Sequence, residues 1–302
     1  MISTLTPATQ QFIDNLAQIN QQMQQAQNQL STGLRVNQVS DAPDEISTIL
    51  EARANLSSTQ QINTDLGQFS TEVNAGQQAL QTAVQVLDQV QTLASEGDSG
   101  TATATSQAAL AQQVNSALQQ MVGLANTQIG GRYIFSGDSD QQVSYTFDPS
   151  QNPPTISSYL GSDSTRVAQS PDGTTFPVAL TAQTIFDSGD PTTDVLSIMQ
   201  NLSTALTSGD SAGIQTAVTN LASANQYLNQ QLAFYGTTTQ SVEAATNYGQ
   251  SLQTQLQTQI STLEDADSAT AIEQLTQAQT QQEAALQSQA LIPRDTLFNY
   301  LG

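Results

Sequence analysis

"INTDLGQFSTEVNAGQQALQTAVQVLDQVQTLA", residues 62–94, decides the fold. Ile62, Leu66, Phe69, Val73, Gly76, Leu80, Ala83, Leu87, Val90 and Ala94 follow one another at alternating steps of four and three. A strand would alternate every second residue, whereas this spacing keeps one stripe of a helix apolar. The other faces are rich in Gln, Asn and Thr, so the stripe must be covered by a second helix lying along it. A helix over this span is roughly 50 Å long at about 1.5 Å per residue.

The same alternation recurs on both sides. Phe12, Leu16, Ile19, Met23, Ala26 and Leu30 form an earlier seam, poor in large side chains and surrounded by Gln and Asn. A helix that polar is marginal by itself and needs a partner. Leu110, Val114, Ala117, Met121 and Leu124 form a third seam, beyond a Gly- and Ser-rich turn at 95–106. After residue 190 come Val195, Met199, Leu202 and Leu206, then Ile214, Val218, Leu221, Leu228 and Leu232. Val242, Ala245, Leu252, Leu256, Ile260 and Leu263 continue into a long C-terminal helix, which Leu275, Ala278 and Leu286 extend.

Between the helical halves the texture changes. "RYIF", "VSYTF", "TISSYL", "TRVAQ", "TFPVAL" and "TIF" read as short strands, separated by turns such as "SGDSD", "DPSQNPP" and "SPDGT". The predicted class is therefore mainly α. We expect an elongated rod of long antiparallel heptad helices, with the N- and C-terminal helices paired, plus a small β-rich inserted domain. The expected division is a terminal coiled-coil segment (1–40 and 264–302), a helical rod domain (41–130 and 191–263) and the β-rich domain (131–190).

Composition removes most chemistry. The 302 residues hold 26 acids against five arginines, with no Lys, His, Cys or Trp and a net charge of −21. Without His or Cys there is no Ser-His-Asp triad, thiol nucleophile, disulfide or His-ligated zinc. Without Lys there is no phosphate-loop lysine or Schiff base. The acidity argues against nucleic acid and against an anionic membrane surface. No enzyme activity, cofactor or metal is expected. Paired carboxylates such as Asp44 with Glu45, or Glu264 with Asp265, lie in polar contexts unsuited to acid–base work. Asp138, Asp140 and Asp148 lack the spacing of a calcium loop and read as a solvated acidic turn. The opening residues show no basic and apolar leader, and no apolar run is long enough for a membrane span.

Two motifs name a resemblance. "STGLRVNQVSDAP" (31–43) resembles the loop after the first helix in the bacterial flagellin superfamily: Ser31, Thr32, Gly33, Arg35, Val36, Asn37, Asp41 and Pro43 match its pattern. Ala42 departs where a second Asp is usual, and Asp44 with Glu45 where small residues are. "ANTQIGGRYIFSG" (125–137) is similar to the segment leaving the helical domain in the superfamily's hook-associated branch, the hook-associated protein 3 family of the hook–filament junction. Gly131, Arg132, Tyr133, Ile134, Phe135, Ser136 and Gly137 carry that likeness, after Ala125, Asn126 and Thr127. Leu297, Phe298, Tyr300 and Leu301 match the same family's closing pattern, with Thr296 where Ser is commoner and Gly302 as an extra residue.

The resemblance implies a structural part of the flagellum that joins hook to filament. Its implied partners are flagellin, the preceding hook-associated protein, further copies of itself and an export chaperone. It implies an extracellular location reached through the flagellar export channel without a cleaved signal. It also implies termini that order only on assembly, into an inner layer of coiled coils. The rival within the superfamily is a short flagellin acting as a filament subunit. Rivals from other classes are a carboxylate enzyme housed in the β insert and a secreted adhesin or needle-tip protein.

Individual residues carry narrower expectations. Gly33 ends the first helix, and Asp41 with Pro43 starts the next. Arg35 ties the loop to an acid in its own or a neighbouring subunit. Arg132 is either a junction salt bridge or a plain surface charge. Tyr133 and Phe135 alternate with Arg132 and Ile134, as core residues on a strand would. Leu297, Phe298, Tyr300 and Leu301 form an apolar terminal patch for assembly or export. Arg294 serves assembly or nothing.

Overall fold

The computed structural model describes residues 7–151 and 153–291. The helices are α1 (Pro7–Thr32), α2 (Ile46–Gly97), α3 (Ala104–Ala125), α4 (Ala182–Phe186), α5 (Val195–Ser208), α6 (Ser211–Glu264) and α7 (Ser268–Leu291). Among the described residues, six short strands lie between α3 and α4: β1 (Gln128–Ile129), β2 (Arg132–Tyr133), β3 (Phe147–Asp148), β4 (Thr155–Ile156), β5 (Val167–Gln169) and β6 (Thr175–Pro177). The chain divides into two compact units, residues 59–251 and the combination of residues up to 58 with those from 252 onward.

In the 59–251 unit the seam that opened the sequence reading becomes the core. Leu66, Val73, Leu80, Ala83, Leu87, Val90 and Ala94 are all buried. Their partner is α6, running antiparallel. The Asn225 amide donates to Asp88 at 2.5 Å, Gly76 abuts the Tyr235 ring, and Asn63 lies on Gly249. As numbers fall along α2 they rise along α6. α3 packs on α5, joined by the Ser203 hydroxyl donating to Asn115 at 2.6 Å. Phe135, Tyr145, Ala168, Val178, Ile185 and Phe186 of the insert belong to the same apolar cluster as these helices.

The insert is less regular than its sequence suggests. β1–β2, β3–β4 and β5–β6 are three separate antiparallel pairs of two or three residues a side. "RYIF" is strand only at Arg132 and Tyr133, and Ile134, Phe135 and Ser136 are buried in succession, so the expected alternation stops there. "TIF" is not a strand: residues 184–186 end α4. The Thr181 side chain accepts from the Thr184 amide and caps that helix, overriding the β-branched composition.

In the other unit α1 and α7 pack together antiparallel, so the terminal helices are paired as expected. The Gln282 amide donates to Asn20 at 2.9 Å. Ala26, Ala271 and Ala278 are buried at this contact, while Phe12, Leu16, Ile19, Met23 and Leu30 are only half-buried. The long C-terminal helix is broken where one continuous helix was expected. α6 stops at Glu264, and Asp267 restarts the chain by accepting from the Ala269 amide at 2.9 Å. Among the described residues, no helix is long and apolar enough to cross a membrane.

Candidate functional site

The loop at 31–47 is a clamp. Gly33 adopts φ +73° and donates to the Gln29 carbonyl at 2.8 Å, a left-handed helix end that favours glycine. The hydroxyls of Ser31 and Thr32 turn back to the Asn28 carbonyl. Beyond the glycine the chain pairs with the break between α6 and α7. Leu34 bridges Asp265, the Arg35 amide donates to the Glu264 carbonyl at 2.6 Å, and the Ala266 amide donates to the Gly33 carbonyl at 2.8 Å.

Arg35 meets an acid of its own chain. Its guanidinium donates to the Glu45 carboxylate and to the Leu263 carbonyl at 2.5 Å. The ion pair itself is two-fifths exposed and adds little; the backbone contact is what joins the loop to α6. Arg53 pairs with Glu264, whose carboxylate is nearly buried. Val36, Ala42 and Ile49 make a small core with Ile46 and Leu263. Asn37 donates to the Leu34 carbonyl at 2.8 Å. Asp41 does not cap α2. Its carboxylate accepts from the Asn37 and Gln38 amides at 2.9 and 2.8 Å and so closes the loop on itself. Pro43 is exposed, and α2 begins only at Ile46.

The lead-in to the insert is a second knot. Gly130 and Gly131, at φ +57° and +81°, make the tight turn between β1 and β2. Arg132 is a salt bridge: its Nε donates to Asp140 at 2.6 Å. The Gln141 amide and Arg132 together hold the Asp140 carboxyl below the usual range. Tyr133 is half-buried. The Phe135 ring sits edge-on to Phe186 and Tyr235, both 6.2 Å away, and its carbonyl accepts from the Ala182 amide at 2.7 Å. The buried Ser136 hydroxyl lies 2.9 Å from that of Ser144 and donates to the Gln142 carbonyl at 2.8 Å. A Cβ on Gly137 would stand 2.1 Å from the Ser162 carbonyl oxygen, so only glycine fits. Ahead of the knot, the Asn126 amide accepts from Ser144 and Tyr145 and donates to the Tyr145 carbonyl.

Several organising residues escaped the sequence reading. Arg166 pairs with Glu72 at 2.6 Å, both largely buried, fastening the insert to α2. Tyr145 donates to Asp187 at 3.3 Å. Burial pushes the Asp187 carboxyl up, and the Asp194 carboxylate beside it adds to the effect. Burial likewise raises the Tyr145 phenol strongly and moves Tyr159 up to about 12. Asp194 caps α5, accepting from the Ser197 amide at 2.9 Å. An Asp followed three residues later by Ser before an apolar run was the available signal for that cap. Arg294, Leu297, Phe298, Tyr300 and Leu301 lie outside the described residues. Among the described residues, no group of three or more acids could hold a metal ion.

Comparison with known proteins matches this arrangement. Two family models fit the chain: the bacterial flagellin N-terminal helical region over residues 2–140 and the bacterial flagellin C-terminal helical region over residues 213–301. No curated protein sequence matches at a significant level. Among solved structures, a Vibrio parahaemolyticus protein described as a candidate flagellar hook-associated protein superposes with a TM-score of 0.63 at 16% identity, over 74% of this chain and 99% of that one. Bacillus cereus FlgL gives 0.55 at 20% identity, over 71% and 100%. The flagellar hook-associated protein-3 of Legionella pneumophila gives 0.59 at 13% identity, over 72% and 98%. At those identities the likeness is one of fold. The two helical regions, found at either end of one chain and packed on each other through α1 and α7, place it in a family: the chain belongs to the bacterial flagellin family.

Proposed function

We propose that this chain is the adaptor at the hook–filament junction. The observation that carries the reading is the knot at 130–137. It holds an insert against the α2/α6 pair in a fold that superposes over nearly the full length of FlgL and hook-associated protein-3 structures. The mechanism is geometric. Copies stack through their terminal helices, one side of the layer meets the preceding hook-associated protein, and the other receives the first flagellin. The division into terminal segment, helical rod and insert belongs to this reading, as do an export chaperone and export without a cleaved signal. The chain's role is to connect, and no reaction is assigned to it.

Immunogold labelling of intact cells tests the proposal. One band at the boundary between hook and filament is expected, and deletion of the gene should release filaments from their hooks. Label along the whole filament would instead make the chain a filament subunit. Filaments retained after deletion would sink the adaptor role.

A further inference from the structure

We propose that the cleft between α3 and the β3–β4 hairpin binds a neutral saccharide, either a free sugar or the uncharged end of a glycan chain. The cleft lies wholly within the 59–251 unit, and the inference stands apart from the junction reading. One wall is a stripe of α3: Gln112, Asn115 and Gln119 recur at steps of three and four, so they share a face. The other wall is the hairpin, with Phe147 and Ser150, and Thr207 of α5 joins them. The cleft measures about 470 Å³, within the size range of small-molecule sites. The hairpin wall is held in place. Phe147 is half-buried and packs on the main apolar cluster. The Gln200 amide of α5 donates to the Pro154 carbonyl at 3.1 Å, and the Ser150 amide and hydroxyl donate to Asp148 at 2.9 and 2.6 Å.

The lining chemistry selects the ligand. Among the described residues, none that lines this cleft is charged, in a chain that carries −21. Other clefts of the same unit differ: Asp210 lines one between α5 and α6, and Asp163 with Asp187 lines one beside Tyr227. An ion entering the α3 cleft would therefore lose hydration without gaining a counter-charge. An apolar ligand would cover amides and leave them without partners. Among the described residues, the Gln112 and Gln119 side chains have no hydrogen-bond partner. Asn115 accepts from the Ser203 hydroxyl at 2.6 Å through its side-chain oxygen, which leaves its NH2 group as a donor. A pyranose suits both needs. Its hydroxyls donate and accept, as the amides do. Its C–H face is apolar and slightly positive, which is what the negative face of an aromatic ring attracts, and Phe147 supplies that ring.

Saturation-transfer NMR on the purified full chain tests the site. The probes are glucose, galactose, mannose and N-acetylglucosamine, their neutral oligosaccharides, and glucuronate and glucosamine as charged counterparts. At least one neutral sugar should bind with a Kd on the order of 1 mM, as suits so small a ligand. The charged sugars should bind at least about fivefold more weakly. Binding by the single sugars assigns the site to free saccharide, and binding by the oligosaccharides alone assigns it to chain ends. Gln112 and Gln119 are exposed, so Gln112→Ala and Gln119→Ala should keep the parent's circular dichroism. Each should weaken binding by about fivefold or more. Gln120→Ala, at an exposed α3 position outside the cleft, should bind like the parent. No signal from any neutral sugar would overturn the inference, and so would equal binding of glucuronate. Unchanged binding by Gln112→Ala and Gln119→Ala would overturn the assignment to this cleft. None of these outcomes bears on where in the flagellum the chain sits, which the labelling experiment reads separately.

Discussion

The two units share one helical period and differ in what they bury. Residues 59–251 enclose Leu80, Leu87, Leu118, Met121, Phe135, Phe186 and Met199. The unit built from both ends encloses chiefly alanines, Ala26, Ala42, Ala52, Ala271 and Ala278, with Val36, Ile49 and Leu256 as its larger members. A fully buried Leu or Phe contributes about 1.5–3 kcal/mol, and an alanine methyl about 0.8. A regular seam therefore says that a helix packs lengthwise, and the size of its side chains says whether the packing suffices. Where the core is thin, backbone hydrogen bonds at Gly33, Arg35, Glu264 and Ala266 hold the segments together instead.

The contrast can be broken at Phe135. Phe135→Ala should remove about 3–5 kcal/mol from the main unfolding transition in guanidinium. Leu16→Ala in the half-buried seam of α1 should leave that transition in place, and equal losses at the two positions would erase the difference. Asn126→Ala should cost about 2–4 kcal/mol by the same measurement, since it removes one acceptor and one donor that serve Ser144 and Tyr145. A loss below ~1 kcal/mol would show the insert held elsewhere.

Two glycines of α2 sharpen the comparison in opposite directions. A Cβ on Gly76 would come within 2.5 Å of the Tyr235 ring, so Gly76→Ala should destabilise by about 1–3 kcal/mol. Gly67 has nothing within 4 Å, and Gly67→Ala should stabilise by up to about 1 kcal/mol through helix propensity. The same sign at both sites would contradict the packing described.

The smallest effect concerns pH. The Asp187 carboxyl is raised by burial and by Asp194. Its favourable contribution is complete below the free carboxylate range, near ~4, and is lost as pH rises through the higher folded-state value. Asp187→Asn should then be more stable than the parent at neutral pH, by less than about 1 kcal/mol given its partial exposure. The advantage should fade in acid; thermal melts at the two pH values read it.

The helices were legible because period and turn chemistry are local. Ile62 to Ala94 and the glycine end of α1 could be read within a few residues of themselves. The break at Asp265 was not, because it depends on Leu34 and Arg35 arriving from the far side of the sequence. The insert was legible as a change of texture but not in detail. Strands of two or three residues leave no period to detect, and capping at Thr181 outweighs the strand preference of "TIF". Of the lead-in motif, Gly137 could be singled out by its residue type, while the Arg166–Glu72 pair joins segments too distant in sequence to suggest each other.

The clamp also fixes an order of events. Arg35 and the Leu263 carbonyl that it grips stand 228 residues apart along the chain. Everything in the 59–251 unit lies between them, so a chain made from its first residue can complete that unit while the clamp still lacks its second half. The end-built unit is the last part to close, and until then the polar helix α1 has nothing of its own chain to lie against.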